Sequence, residues 1–450
     1  MENNKGTWWL PEKAESKVSG DLTYASGKEA TLSLDGSFEK PSSIFDQSEK
    51  FYEIILGEVN HQKITLVNSK KIFSQVTLSG KGDSCSSKFS PVVICKGHHF
   101  SNKKELEFSN IMVRYSHLRK WLGSHCGFRK EDNRYLKGFN ETSLLLQISP
   151  NLRLEIKDFL QKENLKIFNY HIDKTTVIFS HEKTSISKIL ETLDIFRNFL
   201  QILIDEKIEI LEIEAQEEYG NIQLIIPHII SANFKDSIAF IPEPITFKTF
   251  HENAESYLVN WFTFVKKFEP IYHLFFSDNF EKLYITTRFL NYAQAIEAYH
   301  SKKQEKDGNK FFSDNTQHIL DDITSFSVIT KEMFPENHAS TILSKFQWLN
   351  WKTLRMRLKE LYQEYPRIFP IFIRDKDFFI NQFVEIRNYY THYDSSKLEP
   401  NVREMIVLTE NARFILLSIL LKEIGFKERD IESAVYRYCR KRVTALRSLG

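Results

Sequence analysis

Several resources that specialised chains rely on are scarce or missing from this sequence. Cysteine occurs only at Cys85, Cys95, Cys126 and Cys439 in 450 residues, too sparsely for a disulfide framework, so four reduced thiols in a reducing compartment are expected. Long apolar runs are absent. The longest, around Phe414 to Leu421, is interrupted by Ser418 and falls well short of the roughly 20 residues a membrane-spanning helix needs. The opening segment MENNKGTWWLPEK has no basic stretch leading into an apolar one, so no secretory signal and a cytoplasmic location are expected. There is no charge of one sign to spare: Lys+Arg 61 against Asp+Glu 59 leaves a net +2. A nucleic-acid site would therefore have to be a local basic patch. The G-x-x-x-x-G-K-[ST], G-x-S-x-G and H-E-x-x-H patterns are also missing, which leaves NTPase, serine hydrolase and zincin readings without an anchor.

What is present is aromatic mass and a change of texture. Aromatics make up 14% with 37 Phe, enough for large cores, and the length calls for at least two of them. To about residue 180 short alternating runs dominate, among them LTYAS, ATLSLDG, KITLVNS, SQVTLSG, PVVICKG, NIMVRYS, SLLLQIS, LRLEIKD and TTVIFSH. Their period of two predicts strands. A helix is predicted over about 185–202, followed by the apolar runs KIEILEI and NIQLIIPHI, with Pro242 and Pro244 marking a break. Beyond it the period becomes helical, over roughly 253–268, 278–302, 315–333, 338–364, 375–393, 402–424 and 428–446. The charged stretch Lys302 to Lys310 reads as a solvated connection. The expected fold class is α+β: a β-rich sandwich or barrel over 1–250 and an all-α bundle over 251–450.

Metal ligands are the first chemistry to weigh. Cys95, His98, His99, His117, His125 and Cys126 lie close in sequence, but their spacing fits no ordinary zinc pattern, and strand and loop roles outweigh a zinc site. The acidic stretch Glu212, Glu214, Glu217 and Glu218 and the group His318, Asp321 and Asp322 read as solvated faces. No metal site and no cofactor are expected.

The segment FFINQFVEIRNYYTHYD, Phe378 to Asp394, is more informative. At 100° per residue Phe379, Phe383, Ile386 and Tyr390 fall on one side, and Asn381, Glu385, Asn388 and His392 on the other. Arg387 stands about 140° from His392 around the axis. An imidazole, a guanidinium and an amide on one surface suit RNA scission by the ribose 2′-OH. His392 has the range for proton transfer, Arg387 matches phosphate oxygens, and Asn388 can hold substrate or orient the imidazole. The Arg-x(4–6)-His spacing itself occurs twice, at Arg387/His392 and Arg119/His125, as often as chance provides. By spacing alone, His392 as a surface residue capping a helix end remains a competing reading.

Arg387-Asn388-Tyr389-Tyr390-Thr391-His392 resembles the R-N-x-x-x-H motif of HEPN-domain ribonucleases, and YAQAIEAYH (Tyr292 to His300) resembles an early helix of that bundle. GTWWLPE, SGDLTY, LSLDGSF, ILGEVN, KITLVNS and IMVRYSHLRKWLG resemble the N-terminal domain of ApeA-type anti-phage proteins. This resemblance covers nearly the whole chain. It implies an abortive-infection endoribonuclease with a β-rich sensing half and a HEPN effector half, acting as a homodimer or higher homo-oligomer whose motifs face across one cleft, with RNA, and tRNA anticodon loops in particular, as substrate. Arg387, Asn388 and His392 match the motif; Glu297 is a candidate for the acidic residue that supports some HEPN sites, with structural pairing on the bundle surface as the favoured reading. Lys352, Arg355, Arg357 and Lys359 near Trp348 and Trp351, and Arg437, Arg440, Lys441, Arg442 and Arg447, are candidates for an RNA-tracking patch, though solvated helix faces and dimer salt bridges are the favoured reading. Trp8 and Trp9 read as anchors of the first strand, ahead of a role in binding a trigger. The rival to the enzyme is a HEPN domain that only binds nucleotide, RNA or a partner protein; a third possibility places the main activity in the β-rich half.

Overall fold

The computed structural model describes residues 2–25, 27–39, 49–77, 84–122, 128–131, 134–137, 144–164, 169–231, 234, 243–279, 282–304, 325, 328, 332–333, 351–392 and 401–447. The chain divides into two compact units, Met1–Val259 and Asn260–Gly450. Residues 305–310 of the charged connection, the predicted helix over 315–333 apart from residues 325, 328, 332 and 333, the part of the predicted helix 338–364 before residue 351, and the residues His125, Cys126, His318, Asp321, Asp322 and Trp348 lie outside the described residues.

Six strands open the first unit: β1 (Glu2–Trp9), β2 (Val18–Ala25), β3 (Lys28–Leu34), β4 (Phe51–Val59), β5 (Gln62–Thr77) and β6 (Ser84–Ser90). They pair antiparallel as a closed ring, β1 with β2 and β4, β3 with β2 and β6, and β5 with β4 and β6. Closure removes free edges. Alternate residues of these strands point inward, so Leu22, Tyr24, Ala30, Leu32, Leu34, Ile55, Ile64, Leu66 and Phe89 share one core with Trp8. The period of two visible in ATLSLDG and KITLVNS is this alternation.

The long strand β5 also belongs to a second layer. Its first half pairs with β7 (Val93–Lys96), and its later residues pair with β6. From β7 the sheet continues through β15 (Gly220–Ile225), β14 (Ile210–Glu217), β8 (Glu107–Tyr115), β13 (Asn169–Ser185), β12 (Leu152–Asn164) and β11 (Leu144–Ser149). Strands β9 (Phe128–Glu131) and β10 (Arg134–Lys137) form a separate pair. A short helix α1 (Leu118–Leu122) follows β8, and α2 (Ile186–Ile204) lies on the open sheet, where Phe196 meets Tyr115 and Phe179. The Tyr115 hydroxyl donates to the Leu193 carbonyl at 3.1 Å. The β-rich expectation is thus realised as a barrel opening into a half-covered sheet.

The zinc candidates that are described take ordinary structural roles. Cys95 is buried in β7, which pushes its thiol up to about 12. His99 sits 2.8 Å from the Gly57 carbonyl and edge-on to Trp9, while His98 stacks on Tyr219. Among the described residues no group of His, Cys, Asp and Glu converges to hold a metal ion. Glu212 pairs with Arg114 at 2.9 Å.

Helix α3 (Phe247–His251) closes the first unit, with Phe247 and Phe250 against Trp121. The division between the units falls within α4 (Ala254–Lys267). The second unit continues with α5 (Glu269–Phe276), α6 (Ile285–Lys303), α7 (Leu354–Glu364), α8 (Lys376–His392), α9 (Val402–Ile424) and α10 (Glu428–Arg447). Helix α9 is its axis, buried along much of its length, with a capping box between Asn401 and Glu404 and a left-handed Gly425 (φ 104°) at its end. Among the described residues, no helix is long and apolar enough to cross a membrane.

Trp8 is fully buried, and its indole N–H donates to the Gly20 carbonyl at 3.1 Å. Directly opposite, Gly57 leaves room for the ring: a Cβ there would stand 2.1 Å from a Trp8 ring carbon. Gly57→Ala is therefore expected to cost about 1–3 kcal/mol, as overpacking of a tight core does. Denaturant unfolding checks this, and an unchanged midpoint would contradict it.

Candidate active site

Helix α8 begins where the Asp375 carboxylate accepts the Phe378 N–H at 3.0 Å, and Asp377 adds an acidic charge to its first turn. Phe379, Ile380, Phe383 and Ile386 are buried, while Asn381, Glu385 and His392 are exposed. The Phe383 ring meets Phe289 of α6 edge-on at 5.0 Å. That contact lays the helices together and sets the register of the polar groups beyond it.

Arg387 is the centre of those groups. One of its terminal nitrogens, Nη2, donates to Glu297 Oε2 of α6 at 3.0 Å, and the other, Nη1, to Asn388 Oδ1 at 3.1 Å. The side chain keeps 28% of its surface, and Glu297 keeps 33%. The guanidinium is held from two sides while a face stays open to solvent. Its remaining N–H groups suit phosphate oxygens.

His392 is exposed at the last residue of α8. Among the described residues no hydrogen bond joins it to Arg387 or Asn388. The Thr391 hydroxyl donates to the Arg387 carbonyl at 2.7 Å, tying down the final turn that carries the imidazole.

One turn along α6 from Glu297 lies a second, buried polar group. His300 is 3% exposed, with Nδ1 3.1 Å from Arg357 Nη1 and Nε2 2.8 Å from Glu360 Oε2, both partners on α7. Arginine can only donate, so Nδ1 must accept; the proton then sits on Nε2 and is donated to Glu360. Lys352 reaches the same carboxylate at 2.7 Å. On the next turn Glu364 of α7 binds Lys303 of α6 and, at 3.0 Å, Lys422 of α9. Burial pushes the Glu364 carboxyl up, but the hydrogen bonds from Lys303 and Lys422 outweigh it and hold the group below its usual range.

The basic residues expected to form one RNA-tracking patch divide between several environments. Arg355 donates to Asn381 on the polar stripe of α8. Lys352 is engaged by Glu360, and its side chain is 15% exposed. Arg357 corrects the expectation: it is 4% exposed, and its Nε donates to the Lys352 carbonyl at 3.1 Å, so it is an interior charge and not part of a surface. Inside, the His300 ring and the Lys352 carbonyl accept its N–H groups, and burial draws its pKa down against the pull of Glu297 and Glu360. On α10, Arg440 is exposed, Lys441 is half-buried, and Arg442 stands 3.4 Å from Glu410. The structure thus gathers Arg387, Asn388 and Glu297, and adds His300 and Glu360, which the sequence reading did not single out. The available signal was the spacing of Glu297 and His300, three apart on one helix face.

Desolvation holds the His300 pKa below its ordinary 6.5, with Arg357 adding to the effect and Glu360 opposing it. The unfolded chain thus takes up a proton that the folded one refuses. Stability from this group is complete above about pH 6.5 and is lost as pH falls through that value toward the lower folded one. Wild type is expected to lose unfolding free energy over this range, and His300→Gln to lose less. Parallel pH profiles for the two would contradict the assignment.

Two family matches accompany this geometry. The family described as ApeA N-terminal domain 1 matches residues 3–261, and the one described as Apea-like HEPN matches residues 290–430, which include Glu297, His300, Arg357, Arg387, Asn388 and His392. No curated protein and no solved structure matches the chain.

Proposed function

This chain belongs to the ApeA-type anti-phage proteins with a C-terminal HEPN domain, and we propose that it is a metal-independent endoribonuclease of the cytoplasm, toxic to its host once infection is sensed. The observation that carries the reading is the Arg387 guanidinium, fixed by Glu297 and Asn388 yet open on one face, on the same helix as an exposed His392. In the proposed reaction a ribose 2′-oxygen attacks the neighbouring phosphorus and the bond from phosphorus to the 5′-oxygen breaks. The 2′-OH proton passes to a base and an acid returns one to the departing 5′-oxygen. The products are a 2′,3′-cyclic phosphate and a 5′-OH.

Arg387 supplies a fixed charge where the pentacoordinate phosphorus gathers electrons. His392 handles a proton, and Asn388 keeps the guanidinium aimed. An isolated His392 offers one imidazole for two proton transfers. A homodimer with two motifs across one cleft would offer two, which favours the composite site that HEPN ribonucleases use. DNA lacks the nucleophile and would be refused. The sensing or regulatory role falls to the β-rich unit, and tRNA anticodon loops, single-stranded and unstacked, are the candidate substrate.

The test is RNA cleavage in EDTA by purified protein, with lysate of phage-infected cells as the source of trigger and the same lysate without protein as control. Wild type is expected to cut and leave cyclic phosphate ends. His392→Ala should lose about 10²–10⁴-fold in rate, and Arg387→Ala about 10²-fold or more. Equal cutting by His392→Ala would remove the imidazole from the reaction. Phage protection that survives His392→Ala without any RNA cutting would favour a HEPN module that binds RNA, nucleotide or a partner protein.

A further inference from the structure

The first unit holds a cavity at the place where its open sheet parts. Strands β14 and β15 pair from Glu217 with Gly220 as far as Glu214 with Gln223. Beyond that rung β15 stays with β7, through Gln223 with Lys96 to Ile225 with Ile94, while β14 stays with β8 as far as Ile210 with Tyr115. After β15 the chain runs through Pro227, which has no N–H to offer a neighbour. Its carbonyl accepts the Gly27 N–H at 2.9 Å, so the hairpin of β2 and β3 is drawn against the same spot. Between the parted strands lies a cavity of about 130 Å³, partly open to solvent. Its lining includes the apolar residues Ile213, Leu224, Pro227 and Ile230 and the polar residues Tyr24, Lys96, Glu212 and Gln223.

The polar residues define what the cavity can take. The Lys96 ammonium donates to the Tyr24 hydroxyl and lies 4.9 Å from the centre of that ring. Tyr24 belongs to the barrel core, so the pair stands where barrel and open sheet meet. Glu212, the acidic member of the lining, is bound by Arg114 at 2.9 Å. A cationic ligand would meet Lys96 and find the carboxylate engaged. An anion meets an ammonium with three N–H donors, a hydroxyl and an amide, set among apolar walls. An apolar cavity of roughly 150 Å³ accommodates benzene, which fixes the size of the body these walls can cover. We propose that the cavity binds a small organic anion, a carboxylate on an apolar body no larger than one ring, with Lys96 and Gln223 as donors to the carboxylate. Such a ligand would join β2 of the barrel to β14 and β15 of the open sheet. The site is independent of α8 and of the reading of Arg387.

The experiment is titration of the full chain with sodium benzoate as the probe, read by amide hydrogen exchange, with benzamide as the neutral compound of the same shape. Benzoate is expected to bind with a Kd of about 1 mM and to slow exchange over 211–213 and 223–225, the strand segments that line the cavity. Benzamide is expected to bind about tenfold more weakly, the difference a charge-assisted hydrogen bond makes. Lys96→Gln should bring benzoate down to the level of benzamide and leave benzamide unchanged, and Lys96→Arg should keep the preference for benzoate. Protection that spares these two segments, or no protection at benzoate concentrations far above that Kd, overturns the site. Equal affinity for the two compounds in wild type overturns the anionic class of ligand. Benzoate binding that Lys96→Gln leaves intact overturns the role of Lys96 and the proposal with it. Thermal unfolding of each variant is measured alongside; where Lys96→Gln does not fold, the comparison of benzoate with benzamide on wild type decides.

Discussion

The ion pair between Glu297 and Arg387 is the constraint on which the candidate site depends. At partial exposure such a pair contributes little to stability; its effect is on direction. A free arginine side chain samples many rotamers, and a cation meant to meet a phosphate at one point loses affinity to that freedom. Held by Glu297 from α6 and by its neighbour Asn388, the guanidinium has one orientation before any ligand arrives. The cost is partial neutralisation by the same carboxylate that orients it.

The helices around the pair serve this geometry. Phe289 against Phe383 joins α6 to α8, and the ladder of His300 with Glu360 and Lys303 with Glu364 joins α6 to α7. Tyr299 of α6 donates to Glu423 of α9 at 2.6 Å, tying the same helix to the bundle axis. Helix α6 is thus fixed to three neighbours along its length, which leaves Glu297 little room to shift. In the first unit a different device sets the architecture. Strand β5 is long enough to serve the barrel and the open sheet in turn, and Trp8 fills the barrel interior against Gly57.

How much of this could be read from the sequence depended on the range of the interactions. Strands with apolar and polar residues in alternation, such as ATLSLDG and TTVIFSH, declared themselves because the inward residues are visibly hydrophobic. Strand β6, SCSSKFS, did not: Ser87 points inward alongside Phe89, so the pattern is lost, although this strand closes the barrel. The two stripes of α8 followed from its helical period alone. Arg357 was misread because its window, with Lys352, Arg355 and Lys359, has the look of a solvated basic face. Its burial is decided by carboxylates and an imidazole, some of them on a helix far away in sequence, and no local pattern carries that information. For His300 the only local signal is its spacing of three from Glu297 on one helix face, which says nothing of its partners on α7.

The most direct measurement is an experimental structure of the protein with a bound 2′-O-methyl RNA. The account expects the scissile phosphate on the open face of Arg387, Glu297 still holding the opposite side of the guanidinium, and a His392 imidazole within hydrogen-bond distance of the 2′- or 5′-oxygen. RNA bound elsewhere, with Arg387 and His392 contacting no part of it, would contradict the assignment of this helix as the site of RNA scission.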